Sequence, residues 1–260
     1  MWQALIAALI LLAAGFLKTR RFPSFRQAGI HYLFCGTVGA SVPNVLFFIA
    51  IENINAGAMA VILTLGPIFT YALLLGLSRE TIESRRLIGL AFGFFGGSII
   101  ALSGNESTTS FNSFYLIALL CPILYASMSV YVSCRISSPE HPLLMAGATQ
   151  LVSFAVLLPV GLATQQVHLL WVTPDLTDGL IVLHGIIGAT AYALLFKIID
   201  LAGPVFYSFS SYIIAITGVI WGMLLFGEQL TLAFIVATLA IFSGLYLVNT
   251  TQQSVKSARR

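Results

Sequence analysis

Apolar residues fall in long unbroken blocks separated by short polar breaks, and within the blocks polar positions do not alternate with apolar ones. Blocks of this kind occupy roughly 1–17, 30–51, 57–78 and 86–103, then 112–134, 143–163, 179–199, 204–226 and 230–249. A run of about 20 apolar residues is the length of a membrane-spanning helix, whereas barrel strands of about ten residues alternate in polarity. Hydrocarbon offers the backbone no hydrogen-bond partner, so each block is predicted to be a helix. The pattern therefore predicts nine transmembrane helices.

Composition strengthens this reading. The 260 residues are 58% hydrophobic and only 8% charged, with a mean hydropathy of +0.98. Soluble domains carry about 25% charged residues, so the chain lacks the polar surface for a water-facing globule. The predicted spans leave no room for a soluble catalytic domain. The fold class expected is all-α integral membrane, a polytopic helical bundle.

The formal charge of +3 matters through its placement. Lys18, Arg20, Arg21 and Arg26 follow the first span, Arg79, Arg85 and Arg86 the third, and Arg135 the fifth; Lys197 closes the seventh, and Lys256, Arg259 and Arg260 form the tail. All twelve Lys and Arg fall on one side. The opposite loops carry only Glu52, Glu106, Asp175, Asp178 and Glu228. The positive-inside bias makes the basic side cytoplasmic. The chain is thus expected in the cell (inner) membrane as a multi-pass protein, with the C-terminus inside and Met1 outside. The first span reads as a retained helix: no basic residue precedes it, a basic cluster follows it, and no small-residue cleavage site divides them. The sequon Asn105-Glu106-Ser107 is too short to carry weight. Cys35, Cys121 and Cys134 show no pairing or CxxC spacing.

Sliding the chain along itself by about 149 residues aligns Gly36, Gly39, Ala40, Ser41, Leu46 and Phe47 with Gly185, Gly188, Ala189, Thr190, Leu195 and Phe196. At one residue less, Glu80 aligns with Glu228 and Gly96 with Gly244, so Glu-x15-Gly occurs once in each half. The second, third and fourth spans then correspond to the seventh, eighth and ninth, and the first to the sixth, while the fifth has no partner. A unit of five helices repeated in one chain inserts its copies in opposite orientations. The expectation is an inverted five-helix repeat whose first copy is incomplete: 1–103 as the first repeat with four helices, 112–249 as the second with five, and 250–260 as a basic cytoplasmic tail. Inverted repeats underlie alternating access in many secondary transporters.

These residues resemble the EamA-type drug/metabolite transporter superfamily over nearly the whole chain. The resemblance is carried by Pro67 with Glu80 thirteen residues on, the Glu-x15-Gly run to Gly96, Ala202-Gly203-Pro204, Tyr212, and Phe226-Gly227-Glu228 running to Gly244. It differs from the family pattern in two places: the opening helix has no counterpart, and Ala215 stands where many members have a proline matching Pro67. The resemblance implies a ten-helix scaffold that moves small metabolites, amino-acid-, nucleoside- or drug-like, with export the commoner direction.

Two helix faces could line a cavity. Ser208, Ser211, Tyr212, Ala215, Gly218 and Gly222 form a small, polar stripe at helical spacing in the eighth span, and the repeat maps it onto Ala60, Leu63, Thr64, Pro67 and Thr70. Such a stripe serves either close helix packing or a cavity wall. The second face is Thr37, Ser41, Asn44 and Phe48, mapping onto Ile186, Thr190, Ala193 and Lys197. An unpartnered amide in hydrocarbon costs about 2–7 kcal/mol, so Asn44 is expected to point inward. Pro43, Pro67 and Pro122 release backbone carbonyls where neighbours or water can satisfy them. Tyr125 and Ser129 share the face of Pro122. Lys197 can snorkel from its helix end or meet an anionic substrate, and His184 fits a structural role. Phe48, Tyr192, Tyr207 and Trp221 are candidate gates. Glu80 and Glu228 suit the N-terminal ends of the helices that follow them. Gly89, Gly93, Gly96 and Gly97 predict tight packing by the fourth span. No Asp or Glu occupies a span centre, so a carboxylate proton relay has no obvious residue.

No nucleophile elbow, HExxH, metal-ligand spacing or phosphate-binding loop is present, so an enzyme is not expected, nor a cofactor or metal. The partners expected are the lipid bilayer and a small-molecule substrate, with a homodimer left open and nucleic acid excluded by so short a basic tail. The reading is a secondary transporter using candidates Asn44, Thr64, Pro67, Tyr125, Thr190, Lys197, Ser208, Ser211 and Tyr212. Its alternative is a non-transporting truncated chain or partner subunit.

Overall fold

Where the backbone cannot bond to solvent, every residue of a span is driven to close its own hydrogen bonds, and a computed structural model shows the result. It describes residues 1–54, 59, 62–103, 113–135, 140–164, 176–226 and 232–258. Among these no strand occurs. The elements are α1 (Trp2–Thr19), α2 (Phe25–Gly36), a π-helical segment (Thr37–Ser41), α3 (Val42–Ile51), α4 (Gly66–Gly76), α5 (Ser84–Ser103), α6 (Phe114–Arg135), α7 (Pro142–Ala163), α8 (Leu176–Ala202), α9 (Pro204–Ser208), α10 (Ser210–Phe226) and α11 (Leu232–Ala258). Each predicted span coincides with helix among the described residues. Among the described residues five stretches are long and apolar enough to cross a membrane: Trp2–Thr19, Ala28–Ile51, Phe114–Cys134, Pro142–Ala163 and Leu176–Ala202. The sequon at 105–107, Glu106, Asp175, Glu228, Arg259 and Arg260 lie outside the described residues.

The chain forms two compact units, and neither is continuous in sequence. One comprises Met1–Asn44 and Tyr131–Ala202, the other Val45–Val130 and Gly203–Arg260. In the first unit α1 packs along α7 and α8. Glycines set the spacing, because a missing Cβ lets two helices approach closely enough for extended van der Waals contact. A Cβ built on Gly15 would stand 2.6 Å from Leu144 Cδ2, and one on Gly147 would stand 2.8 Å from Leu12 Cγ. Gly36 of α2 admits Val152 and the Thr149 carbonyl of α7, each within 2.8 Å of the site its Cβ would occupy. Gly185 of α8 admits Ile6 of α1 in the same manner, at 2.5 Å.

In the second unit the principal interface joins α5 to α11. A Cβ on Gly89 would lie 2.8 Å from the Gly244 carbonyl, one on Gly244 2.5 Å from the Gly89 carbonyl, and one on Gly96 2.6 Å from the Ala237 carbonyl. The tight packing expected of the fourth-span glycines is therefore present. Below it Arg86 is buried, its guanidinium 2.6 Å from Glu80 and 3.5 Å from Glu83. Glu80, expected at the head of the following helix, is engaged there by a cation of that helix's first turn. Arg86, counted among the orientation charges, is thus also a structural residue. Tyr71 secures the same loop, its hydroxyl donating to the Thr81 carbonyl at 2.7 Å and accepting from the Glu83 N–H at 3.1 Å.

Two tests follow from this packing. Gly244→Leu places a side chain against the Gly89 backbone, which cannot rotate away, and is expected to cost about 1–3 kcal/mol or more. Thermal unfolding in detergent should show this, with Gly66→Ala as control because nothing lies within 4 Å of its added Cβ. The second test concerns His141, the N-cap of α7, whose Nδ1 accepts the Leu143 N–H at 3.2 Å. Burial and then Lys18 hold its pKa below the usual 6.5. As pH falls below 6.5 the unfolded chain binds the proton first, so the cap's contribution is complete above that value and declines as pH drops through the folded pKa. His141→Asn keeps a cap without a titrating group. The melting temperature of the native chain should fall more steeply than the variant's between about pH 7 and about pH 5.

Candidate functional site

Two of the predicted spans are broken, the third about a third of the way along and the eighth near its start, and both breaks belong to the second unit. The third span passes through a turn at Thr64 and Leu65 before α4 begins at Gly66. Pro67 sits buried in the first turn of α4, where an N–H would have no helical partner and the ring's fixed φ suits the helix start. The eighth span breaks at Phe209, between α9 and α10. Ser208 Oγ donates to the Val205 carbonyl at 2.6 Å and Ser211 Oγ to the Ser208 carbonyl at 3.0 Å. Hydroxyls thus occupy carbonyls that an unbroken helix would have paired internally.

Thr64 and Tyr212 come together on α5. A Cβ on Gly97 would lie 2.5 Å from Thr64 Cγ2 and 3.4 Å from its Oγ1, and the Tyr212 ring covers Gly93 one turn earlier. Both residues are buried, Tyr212 completely. The Tyr212 hydroxyl has no hydrogen-bond partner among the described residues. Phe209 stacks edge-on against its ring at 5.2 Å, so the hydroxyl is held in place without being satisfied. Thr70, also buried, donates to the Gly66 carbonyl at 2.9 Å. Tyr125 is partly buried and packs beside an apolar cluster of Ala50, Ile54, Met59, Ala118 and Cys121. Ser129 is buried and donates to the Ala126 carbonyl at 2.9 Å.

The remaining candidates belong to the first unit. Asn44 is partly buried, while Thr190 and Lys197 are exposed on α8 and Thr190 Oγ1 donates to the Ile186 carbonyl at 3.1 Å. His184 is exposed as well. Among the proposed gates, Phe48 and Trp221 are exposed, at 64% and 59%. Sequence reading singled out no residue of the sixth span. Yet Thr149, Gln150 and Ser153 are buried on α7, and Ser41 Oγ stands 3.0 Å from Ser153 Oγ. The adjacent Thr-Gln pair in the midst of an apolar run was the available signal, since an amide is costly there.

No group of three or more His, Cys, Asp and Glu suited to a metal occurs among the described residues. What the described geometry offers beside the helix breaks is buried side chains, Thr64, Ser208 and Tyr212. Long apolar helices and buried polar mid-span groups define a polytopic, all-helical membrane protein. The chain belongs to the EamA-like transporter family, whose model matches residues 1–102 and 112–250. It is also similar in fold to a solved structure described only as "Crystal structure of protein", at a TM-score of 0.74 and 16% identity, covering 98% of this chain and 87% of that one. No curated protein matches it.

The Gly93–Tyr212 contact can be tested directly. Gly93→Ala puts a methyl group into the tyrosine ring, and a loss of about 1–3 kcal/mol is expected from overpacking. Adding Tyr212→Ala should recover part of that loss, so a thermal-denaturation double-mutant cycle should give a non-additive coupling.

Proposed function

We propose that this chain is a secondary transporter that moves a small polar or amphipathic metabolite, amino-acid-, nucleoside- or drug-like, across the cytoplasmic membrane by alternating access, with export as its direction. The observation that carries the reading is the paired interruption of the third and eighth spans. At the repeat offset of about 148 residues Thr64 corresponds to Tyr212, and each lies within one turn of its own span's break. Discontinuous helices at corresponding positions of two repeats are where transporters of inverted design bind solute, because the broken backbone supplies polar groups inside the membrane.

The duplication itself, 1–103 against 112–249, draws support from the glycine contacts. Gly89 meets Gly244 while Gly96 meets Ala237, and at the same offset Gly96 and Gly244 are counterparts, as are Gly89 and Ala237. Exchanged pairs of this kind are the mark of a local two-fold axis, here between repeats of one chain. Under this proposal the basic tail lies in the cytoplasm, Thr64, Pro67, Ser208, Ser211 and Tyr212 form the core of the solute site with Tyr125 of the same unit, and Asn44, Thr190 and Lys197 are the candidates that the first unit contributes.

Tyr212 gives the sharpest test. Its hydroxyl is buried without a partner, so Tyr212→Phe should leave the melting temperature unchanged or raise it. If that hydroxyl serves solute, uptake into proteoliposomes from a panel of labelled amino acids and nucleosides should be saturable, and the variant should lose about five- to tenfold of its kcat/KM, the worth of one hydrogen bond. Absence of saturable flux for the whole panel, with the protein folded, would count against transport of these classes.

A further inference from the structure

A second polar group lies in the first unit, at mid-length of α7. Ser41 Oγ donates to the Gly36 carbonyl at 2.8 Å and stands 3.0 Å from Ser153 Oγ and 3.3 Å from the Ser153 carbonyl. Thr149 and Gln150 precede Ser153 by four and three residues, so helical spacing puts all three on one face. These four side chains are at most 2% exposed. Among the described residues Thr149 Oγ1 and Gln150 Oε1 have no hydrogen-bond partner.

The backbone beside them is unusual too. Thr37–Ser41 is a π-turn in which the Val42 N–H returns to the Thr37 carbonyl, five residues back. Pro43 follows and has no N–H to return to the carbonyls one turn behind it. Gly36 allows α2 to approach until the Thr149 carbonyl is 2.8 Å from the site of its absent Cβ. The group is therefore rich in oxygen acceptors. Its four side chains carry no charge, and its unpartnered atoms are an amide oxygen, Gln150 Oε1, and a hydroxyl, Thr149 Oγ1, deep in an apolar helix.

Such a set suits a cation far better than an anion. Divalent cations draw on carboxylates, of which the group has none, whereas unwound backbone carbonyls hold monovalent cations inside membrane transporters, and hydroxyl and amide oxygens are neutral oxygen ligands of the same kind. We infer that Ser41, Thr149, Gln150 and Ser153 form a binding site for a small monovalent cation, with sodium as the ion of matching hardness. The span centres supply no carboxylate for proton coupling, and this site gives the molecule a different ion to bind.

The test is binding by the purified full chain, which needs no transported solute and so stands or falls independently of the flux assay. In detergent, choline chloride is replaced by sodium chloride at constant ionic strength, and thermal unfolding and labelled-sodium binding are followed together. A saturable rise of several degrees in melting temperature is expected with sodium, along with saturable isotope binding. Ser153→Ala and, separately, Gln150→Leu should each weaken apparent sodium affinity at least about tenfold, whereas Ser127→Ala, whose hydroxyl bonds the Ile123 carbonyl in its own helix, should not. Identical melting in sodium, potassium and choline with no isotope binding would overturn the inference and leave water as the occupant. Sodium affinity unchanged in both variants would overturn it as well. Should Ser153→Ala fail to fold, Gln150→Leu and the isotope measurement on the native chain decide the matter.

Discussion

Hydrocarbon cannot hydrogen-bond a peptide group, and nearly every feature of this molecule answers to that constraint. Regular helix meets it along most of each span. Where the helix is interrupted, at Thr64–Leu65, at Phe209 and through the π-turn before Pro43, freed carbonyls have to find another donor. Ser41, Ser208 and Ser211 provide hydroxyls at two of these places. Interruption is expensive in such a medium, so each break has to be met locally by hydroxyls or by close packing.

Apolar burial cannot hold helices together when the solvent is itself apolar, so close contact must. The glycines supply it. Gly89 and Gly244 let two backbones meet, Gly36 and Gly185 each accept a β-branched side chain, and Gly93 and Gly97 seat Tyr212 and Thr64. The last two connect packing to chemistry, because glycine on α5 is what lets residues from two broken spans stand on adjacent turns of a single helix. The small-residue stripe in the eighth span admitted either packing or a cavity wall, and at Tyr212 the ring packs against Gly93.

Much of this was legible in one dimension. Span length, the absence of alternation and the one-sided placement of Lys and Arg are local properties, and each predicted span coincides with helix. Glu80 shows the limit of local reading, since its position suggested a helix-end role while a buried Arg86, six residues on, engages it across the intervening loop. Thr149, Gln150 and Ser153 show another limit. Their significance depends on Ser41, more than a hundred residues earlier, and on a glycine that brings α2 close enough for the hydroxyls to meet.

The order of residues alone determined that this chain enters a membrane as helices, because that outcome depends only on the free energy of transferring each segment and of pairing its own backbone. It also carried the family resemblance, which the family match established. Tertiary structure decided which polar side chains are satisfied and which are left wanting a partner. Whether Tyr212, Thr149 and Gln150 find donors is fixed by residues distant in sequence that packing brings near, and no pattern along the chain records those distances.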